Sequence, residues 1–351
     1  MRYPEHKKTL LILAAMTIAL FMPKSAFLTG LYGQGQQASQ EFNDLITKLR
    51  EGAVEERQRA AIALGMEKNP GAVEPLIEAL GDDDDFVRDF AAKALGNIAD
   101  SRALDPLVKA LNNDENMLVR RSAATALGIM GDAALEPLLQ ALNEGHFMVR
   151  RAAARALGRL NDPKAIDPLI EVLGDSDVYI QNSAVSALTE IGRPAVPKLL
   201  DTLGNWPIGP LAAEILENLA WQPSSDQEKV RFDVAKRDKQ ALLDNWEIAE
   251  KALLTDTKSE NSLLAQNAVF ALIGLGRDES VEELIRILDE KGNDEMAQAF
   301  MQCGNALLLK AAQDWAAKHG KEEAVQGNER GFVEWGGMSA SQIVANISGT
   351  M

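Results

Sequence analysis

The composition of this chain excludes several classes of protein before any motif is considered. Its 351 residues include 52 acidic and 36 basic side chains, which give a formal net charge of −16 at pH 7. Because nucleic-acid-binding proteins present a basic surface to the phosphates, this balance argues against nucleic acid as the main partner. A single cysteine, Cys303, excludes an intramolecular disulfide and a cysteine metal cluster. Abundant alanine and leucine, with only 5% aromatic residues, favour helices.

The N-terminal segment has the pattern of an export signal. Three basic residues among the first eight precede an apolar run at residues 9–22. A bilayer-spanning helix needs about 20 apolar residues, so this run is short for a membrane span and matches the apolar core of a secretory signal. We therefore expect residues 1–26 to be a signal peptide or a short N-terminal membrane anchor, and the protein to be exported to the periplasm or beyond. A Gly- and Gln-rich linker at residues 27–42 is expected to follow.

Residues 43–220 repeat with a period of about 31 residues. An acid-Pro-Leu element and an Ala-Leu-Gly element recur in step with each other. The prolines are Pro75, Pro106, Pro137 and Pro168, and the glycines are Gly65, Gly96, Gly128 and Gly158. No single helix pair could bury its own apolar face, so successive pairs are expected to stack around a continuous core.

The local chemistry of each repeat predicts two helices. Proline suits the first turn of a helix, where its missing N–H is not needed, and the acid before it is placed to cap that helix. After a polar turn, a Val-Arg pair opens an Ala-rich second helix. Its alanines allow close packing, and its glycine is expected to break the helix near the end. The sequence therefore predicts an all-α fold, a right-handed α-solenoid of helix pairs.

The period weakens beyond residue 220. Residues 221–260 form a charged insertion in which the sequence shows no repeat. The pattern resumes in residues 261–320, which we expect to form C-terminal repeats closed by a capping helix. The remaining residues, 321–351, are Gly-rich and are predicted to be a flexible tail.

The acid-Pro-Leu-Ile helix followed by Val-Arg and Ala-Leu-Gly resembles the HEAT-like repeats named after phycobilisome lyases, over about residues 43–320. The resemblance implies a protein-binding scaffold or, as the alternative, a bilin lyase-type enzyme subunit that acts on a protein. Deoxyhypusine hydroxylase has similar repeats and binds two irons through His-Glu pairs. Here His6, His146 and His319 are followed by Lys, Phe and Gly, so we expect no di-iron site. The sequence contains no other catalytic, phosphate-binding or metal-binding motif, so we also expect no cofactor and no catalytic residue.

Equivalent positions of successive repeats form columns on one face of a solenoid. A column of arginines that ends in Gln181 is accompanied by a column of acids, each acid six residues before a member of the first column. We expect the two columns to form a structural ladder, by pairing within or between repeats. The ladder residues are Arg57, Arg88, Arg120 and Arg150, with Asp82, Asp114, Glu144 and Asp175.

A local group of arginines is the first candidate binding surface. Arg151, Arg155 and Arg159 are four residues apart, so they share one stripe of a helix. Arg121 is the counterpart of Arg151 one repeat earlier. On an acidic molecule, these residues are either a solvated helix face or an anchor for an acidic partner.

An apolar column is the second candidate. Phe86, Leu118, Met148 and Tyr179 stand two residues before the ladder arginines or their counterpart. They predict hydrophobic staples at helix starts or, as a second interpretation, a ridge for a partner. We therefore expect a non-catalytic scaffold that binds another protein on the concave face formed by the second helices, without nucleic acid, and that touches a membrane only through an uncleaved N-terminal segment.

Overall fold

A computed structural model describes residues 39–205 and 207–321. Every regular element within these ranges is helical, which confirms the predicted all-α fold. None of the helices described is both long and apolar enough to cross a bilayer. The predicted signal or anchor at residues 1–26 lies outside the described residues, as do most of the predicted linker and nearly all of the tail.

The helices are α1 (39–51), α2 (Val54–Glu67), α3 (Val73–Ala79), α4 (Asp85–Ile98), α5 (Leu104–Asn113), α6 (Met117–Leu127), α7 (Leu135–Glu144), α8 (Phe147–Leu160), α9 (Ile166–Val172), α10 (Val178–Ile191), α11 (Val196–Thr202), α12 (Ile208–Asn218), α13 (Asp226–Lys236), α14 (Lys239–Asp244), α15 (Trp246–Asp256), α16 (Ser262–Leu275), α17 (Val281–Lys291), α18 (Asp294–Gln302) and α19 (Ala306–His319). The chain divides into two compact units, one up to Ala134 and one from Leu135.

The first unit contains helices α1 to α6. The first helices α3 and α5 pack on the second helices that follow them, α4 and α6, and α4 lies between α2 and α6. The Ala-Leu-Gly element lies inside this packing, since Leu64, Leu95 and Leu127 are fully buried. The second helices therefore form the buried layer of this unit.

The second unit begins with the same arrangement. Helix α8 packs on α7 and on α10, and α10 packs on α9 and α12. Leu157 and Leu188 take the places that Leu95 and Leu127 have in the first unit, and both are fully buried. In both units, each 31-residue repeat of the sequence thus forms one helix pair.

The first helices do not use the acid before proline as a cap. Each of them follows a short 3-10 turn, and polar residues upstream cap that turn: Asn69, Asp100 and Asp162 each accept a backbone N–H two residues on. The acids Glu74 and Asp105 lie inside the first turn and make no cap hydrogen bond. The expectation of a capping acid was wrong because the 3-10 turn starts the helical segment one turn earlier. A carboxylate in the first turn still suits the helix dipole.

Gly128 caps the end of α6, as expected, but the other three Ala-Leu-Gly glycines do not end their helices. Gly65, Gly96 and Gly158 lie within α2, α4 and α8, whereas left-handed residues end these helices at Lys68, Ala99 and Asn161. The glycines instead allow neighbouring second helices to approach. A Cβ on Gly96 would lie 2.7 Å from the Cβ of Ala126, a distance that packed carbon atoms do not reach.

The close approach recurs at the other repeats. A Cβ on Gly65 would lie 2.7 Å from the Cα of Ala94, and one on Gly158 would lie 2.7 Å from the Cα of Ala187. Each glycine therefore packs against the alanine of the next Ala-Leu element. The expectation that glycine breaks the helix was wrong at these three sites because a missing side chain is needed for helix contact there.

Residues 221–260 are part of the helical packing. Helices α13, α14 and α15 lie within this segment, and α13 packs on both α12 and α15. Val230, Leu242 and Leu253 are buried in a core shared with residues of α16 to α19, among them Phe300 and Trp315. This charged segment therefore forms helices, each of which buries one face, although its sequence shows no repeat.

Candidate functional site

The arginine and acid columns pair between consecutive repeats. A guanidinium nitrogen of Arg57 lies 2.8 Å from a carboxylate oxygen of Asp82, and Arg88 lies 2.8 Å from Asp114. Arg150 pairs with Asp175 in the same way in the second unit. Each arginine thus reaches the acid of the repeat that follows, which decides between the two pairings that the sequence left open.

Arg120 departs from this arrangement. It donates to the backbone carbonyl oxygens of Asp114, at 2.6 Å, and Glu115, at 3.1 Å. The side chain of its expected partner, Glu144, lies outside the described part of the structure. The backbone contact is shared by other members of the column, since Arg88 also donates to the carbonyl oxygen of Asp82, at 2.9 Å.

The ladder leaves few groups free for a ligand. The side chains of Asp82 and Asp114 are only 12% and 7% exposed, and each accepts two hydrogen bonds from its arginine. These hydrogen bonds raise the pKa of Arg57 and of Arg88 above the ordinary arginine value. An ion pair in which two guanidinium nitrogens donate to one carboxylate fixes two helices relative to each other. The ladder is therefore structural.

The acidic run at residues 82–85 is used in the same structural way. Asp82 pairs with Arg57, Asp84 accepts the backbone N–H of Val87 at 3.0 Å, and Asp85 accepts a hydrogen bond from Asn116. Within the described ranges, no group of three or more His, Cys, Asp or Glu side chains has a geometry that could hold a metal ion.

The basic stripe consists of Arg151, Arg155 and Arg159 on α8, and none of its charges is paired with an acid in the part of the chain that the structure describes. No described carboxylate lies within 4.0 Å of these three guanidinium groups, in contrast to Arg150 on the same helix. Arg155 and Arg159 are exposed. Burial and the positive charges of its two neighbours lower the pKa of Arg155. The stripe is thus a set of like charges held close together on solvent-facing helix surface.

Arg151 is the most constrained member of the stripe. Its guanidinium carbon lies 5.3 Å from the ring centroid of Tyr179 on α10, in a cation–π contact. Its Nε is buried and has no hydrogen-bond partner among the described residues. Tyr179 itself is 60% exposed, so much of this residue remains accessible to solvent beside the guanidinium.

Arg121, the fourth predicted member, belongs to the first unit, whereas the basic stripe belongs to the second. One repeat earlier than Arg121, the corresponding position is Asp89, which is buried and accepts hydrogen bonds from Lys93 and Ser122. The column therefore changes from a buried carboxylate with two hydrogen-bond donors, at Asp89, to arginines that form no ion pair with a described acid.

The apolar column is only partly exposed. Phe86 and Tyr179 are 49% and 60% exposed, while Leu118 and Met148 are half-buried. Phe147, which the sequence reasoning missed, is 49% exposed at the first position of α8. Its signal was available, because it stands four residues before Arg151 and so continues the same stripe.

The geometry defines a class of protein before any comparison is made. Helix pairs recur about every 31 residues, and within each unit ion pairs of the ladder and glycine–alanine contacts join one pair to the next. These are the properties of a helical-repeat protein.

The family follows from comparison with family models. The model described as HEAT repeats matches residues 42–128, 91–146 and 135–220, which together span just over half of the 351 residues. The chain belongs to the HEAT-repeat family. A search of the curated proteins found no match.

The solved structures that this chain is similar to share little sequence with it. The complex of CpcE and CpcF of phycocyanin lyase from Nostoc sp. PCC7120 is 22% identical, with 72% of this chain and 94% of that chain covered and a TM-score of 0.36. Human deoxyhypusine hydroxylase is 20% identical, with 83% and 98% covered and a TM-score of 0.35. Computationally designed armadillo repeat proteins for modular peptide recognition are 22% identical, with 50% and 98% covered and a TM-score of 0.34.

Proposed function

We propose that this protein is a non-catalytic scaffold that binds another protein through the basic stripe on α8. The observation that carries the proposal is the absence of described carboxylate partners around Arg151, Arg155 and Arg159, on a chain whose net charge is −16. Neighbouring arginines such as Arg150 are paired, so the chain does supply acids where a ladder needs them.

Electrostatics favours an acidic partner at this surface. Three like charges on one helix face repel one another, and a partner that brings carboxylates relieves this repulsion while it gains ion pairs. The surrounding acidic surface repels the same partner elsewhere, so the stripe both attracts and orients it. Repeat proteins present surfaces of this kind, and residues that vary between repeats select the partner.

The test is charge reversal in the presence of the partner. A partner captured from an envelope extract is purified, and its binding to the double variant Arg151→Glu/Arg155→Glu is measured at low and high salt. We expect normal folding, slower association, and a loss of binding that shrinks as salt screens the charges. The matched control is Arg193→Glu, which reverses an exposed arginine outside the stripe. A double variant that folds and binds like the parent would refute the proposal.

We also propose that the protein is exported, on the basis of the basic residues and apolar run of its N-terminal segment. A fusion of residues 1–45 to a reporter that is active only outside the cytoplasm is expected to give activity. A fusion that is expressed but inactive would contradict export and leave the binding proposal unaffected.

A further inference from the structure

The basic stripe continues into an apolar residue. Phe147, Arg151, Arg155 and Arg159 are spaced at four-residue intervals on α8, and Phe147 is 49% exposed. Four residues advance an α-helix by about 6 Å, so the four side chains form a row about 18 Å long. We name these four residues the mixed stripe.

The spacing of the mixed stripe matches that of an extended polypeptide. Alternate residues of a β-strand point to the same side and lie about 6.6 Å apart. We propose that the mixed stripe binds an extended acidic segment of a partner protein, in which one large apolar residue is in sequence with acidic residues at alternate positions. This inference rests on the proposed function and specifies the chemistry of its partner.

The apolar end of the site is defined by two aromatic rings. Phe147 on α8 is four residues before Arg151, and Tyr179 on α10 holds the Arg151 guanidinium over its ring. Both rings are about half exposed or more, and Val178 beside Tyr179 is 55% exposed. A large apolar side chain placed at this end covers exposed aromatic surface, while its neighbours along the segment face arginines.

An acidic residue of α10 near the other end of the stripe limits the width of the ligand. A carboxylate oxygen of Glu190, on α10, lies 3.1 Å from the position that a Cβ on Gly158 would occupy. A helix is about 10–12 Å wide with its side chains, so an acidic helix on the stripe would also bring its charges against Glu190. An extended chain is narrower than a helix, since neighbouring β-strands lie only about 4.8 Å apart. Such a chain can contact the row of arginines without placing its charges against Glu190.

A short acidic segment also fits better than a nucleic acid. The row is about 18 Å long, and a longer polyanion would run onto the acidic surface of a chain with a net charge of −16. Binding of an oligonucleotide that depends on the mixed stripe would therefore contradict the inference.

The experiment measures fluorescence anisotropy of labelled peptides with the full 351-residue chain. The first peptide carries one leucine and three aspartates at alternate positions, with serine spacers, and is made in both chain directions. The second has the same composition with its aspartates consecutive. The third places aspartates four residues apart in an Ala-rich helix. We expect the better direction of the first peptide to bind at least about 5-fold more tightly than the second or third.

Variants locate the binding on the mixed stripe. We expect Arg155→Gln to weaken the first peptide about 2- to 5-fold, the range for an exposed ion pair, and Arg193→Gln to leave it unchanged. Phe147→Ala is expected to weaken the leucine peptide and to have no effect on its serine analogue. Circular dichroism of each variant, compared with the parent chain, establishes that the fold is intact.

Three results would overturn the inference. Equal binding of all acidic peptides would show that net charge, not spacing, decides, and the proposed function would survive. Tighter binding of the helical peptide would replace an extended partner with a helical one. Binding of a dT20 oligonucleotide that depends on Arg155, without binding of any peptide, would refute both the inference and the proposed function.

Discussion

The glycines of the Ala-Leu-Gly element make the packing of the second helices testable, and Gly96 is the sharpest case. A Cβ at this position would lie 2.7 Å from the Cβ and 2.9 Å from the Cα of Ala126. Normal contact between carbon atoms is about 3.5–4.0 Å, so α4 and α6 would have to separate by about 1 Å. The Cα of Ala126 is backbone and cannot rotate away, which places the overpacking cost of about 1–3 kcal/mol toward its upper end.

Helix propensity opposes this cost. Replacement of glycine by alanine inside a helix favours the helix by about 1 kcal/mol, and Gly96 has an ordinary helical position within α4. The overpacking term exceeds the propensity term, so we expect Gly96→Ala to lower the free energy of unfolding by about 1–2 kcal/mol. The urea midpoint of the far-ultraviolet circular dichroism signal measures the change.

A control and a double variant separate packing from other effects. Gly81→Ala meets its first neighbouring atom at 3.5 Å, an ordinary contact, and is expected to change stability by less than about 0.5 kcal/mol. Ala126→Gly removes one of the two clashing groups, so in a double-mutant cycle it is expected to cost less in the Gly96→Ala background than in the parent chain. A Gly96→Ala variant as stable as the parent or more so would refute the close-packing explanation.

Two further predictions concern the core and the ladder. Leu127 is fully buried, so Leu127→Ala should cost about 2–5 kcal/mol by urea denaturation, whereas a cost below about 0.5 kcal/mol would mean that the repeat register is wrong. Arg231→Ala leaves Asp256, whose side chain is 3% exposed, without its partner at 2.6 Å and should cost about 1–3 kcal/mol. The control is Lys318→Ala, which removes an ion pair with Asp289 whose two side chains are each more than 60% exposed, and it should change stability little. Equal costs for the two substitutions would contradict a ladder role for Arg231.

The sequence predicted the helix pairs because each repeat carries the same local signals in the same order. The period locates the buried leucines, such as Leu95 and Leu157, without any knowledge of tertiary contacts. It could not decide whether an arginine pairs within its own repeat or with the next. That choice depends on the distance between stacked helices, and the structure shows the intervals of 25 and 26 residues for Arg57–Asp82 and Arg88–Asp114.

The segment 221–260 shows why the sequence pattern did not reveal all of the packed helices. Its surface residues are so polar that the apolar period is hidden, although Val230 and Leu253 are buried. One ladder element persists, since Arg231 pairs with Asp256 at an interval of 25 residues, the same as that of Arg57 and Asp82. A search for this arginine–aspartate interval, in place of the proline and glycine motifs, would have found it.

Helix α8 carries a structural charge and a charge of the proposed binding surface side by side. Arg150 and Arg151 are adjacent in sequence, but successive residues of a helix are separated by about 100° around its axis. Arg150 accordingly turns toward Asp175 of the next repeat, whereas Arg151 lies over the Tyr179 ring with its neighbours Arg155 and Arg159 on the open face. The ladder needs one arginine per repeat, and the repeat leaves the next position free to vary. On α8 the second position, Arg151, is not paired with any described carboxylate, so its charge remains available for the partner that we propose.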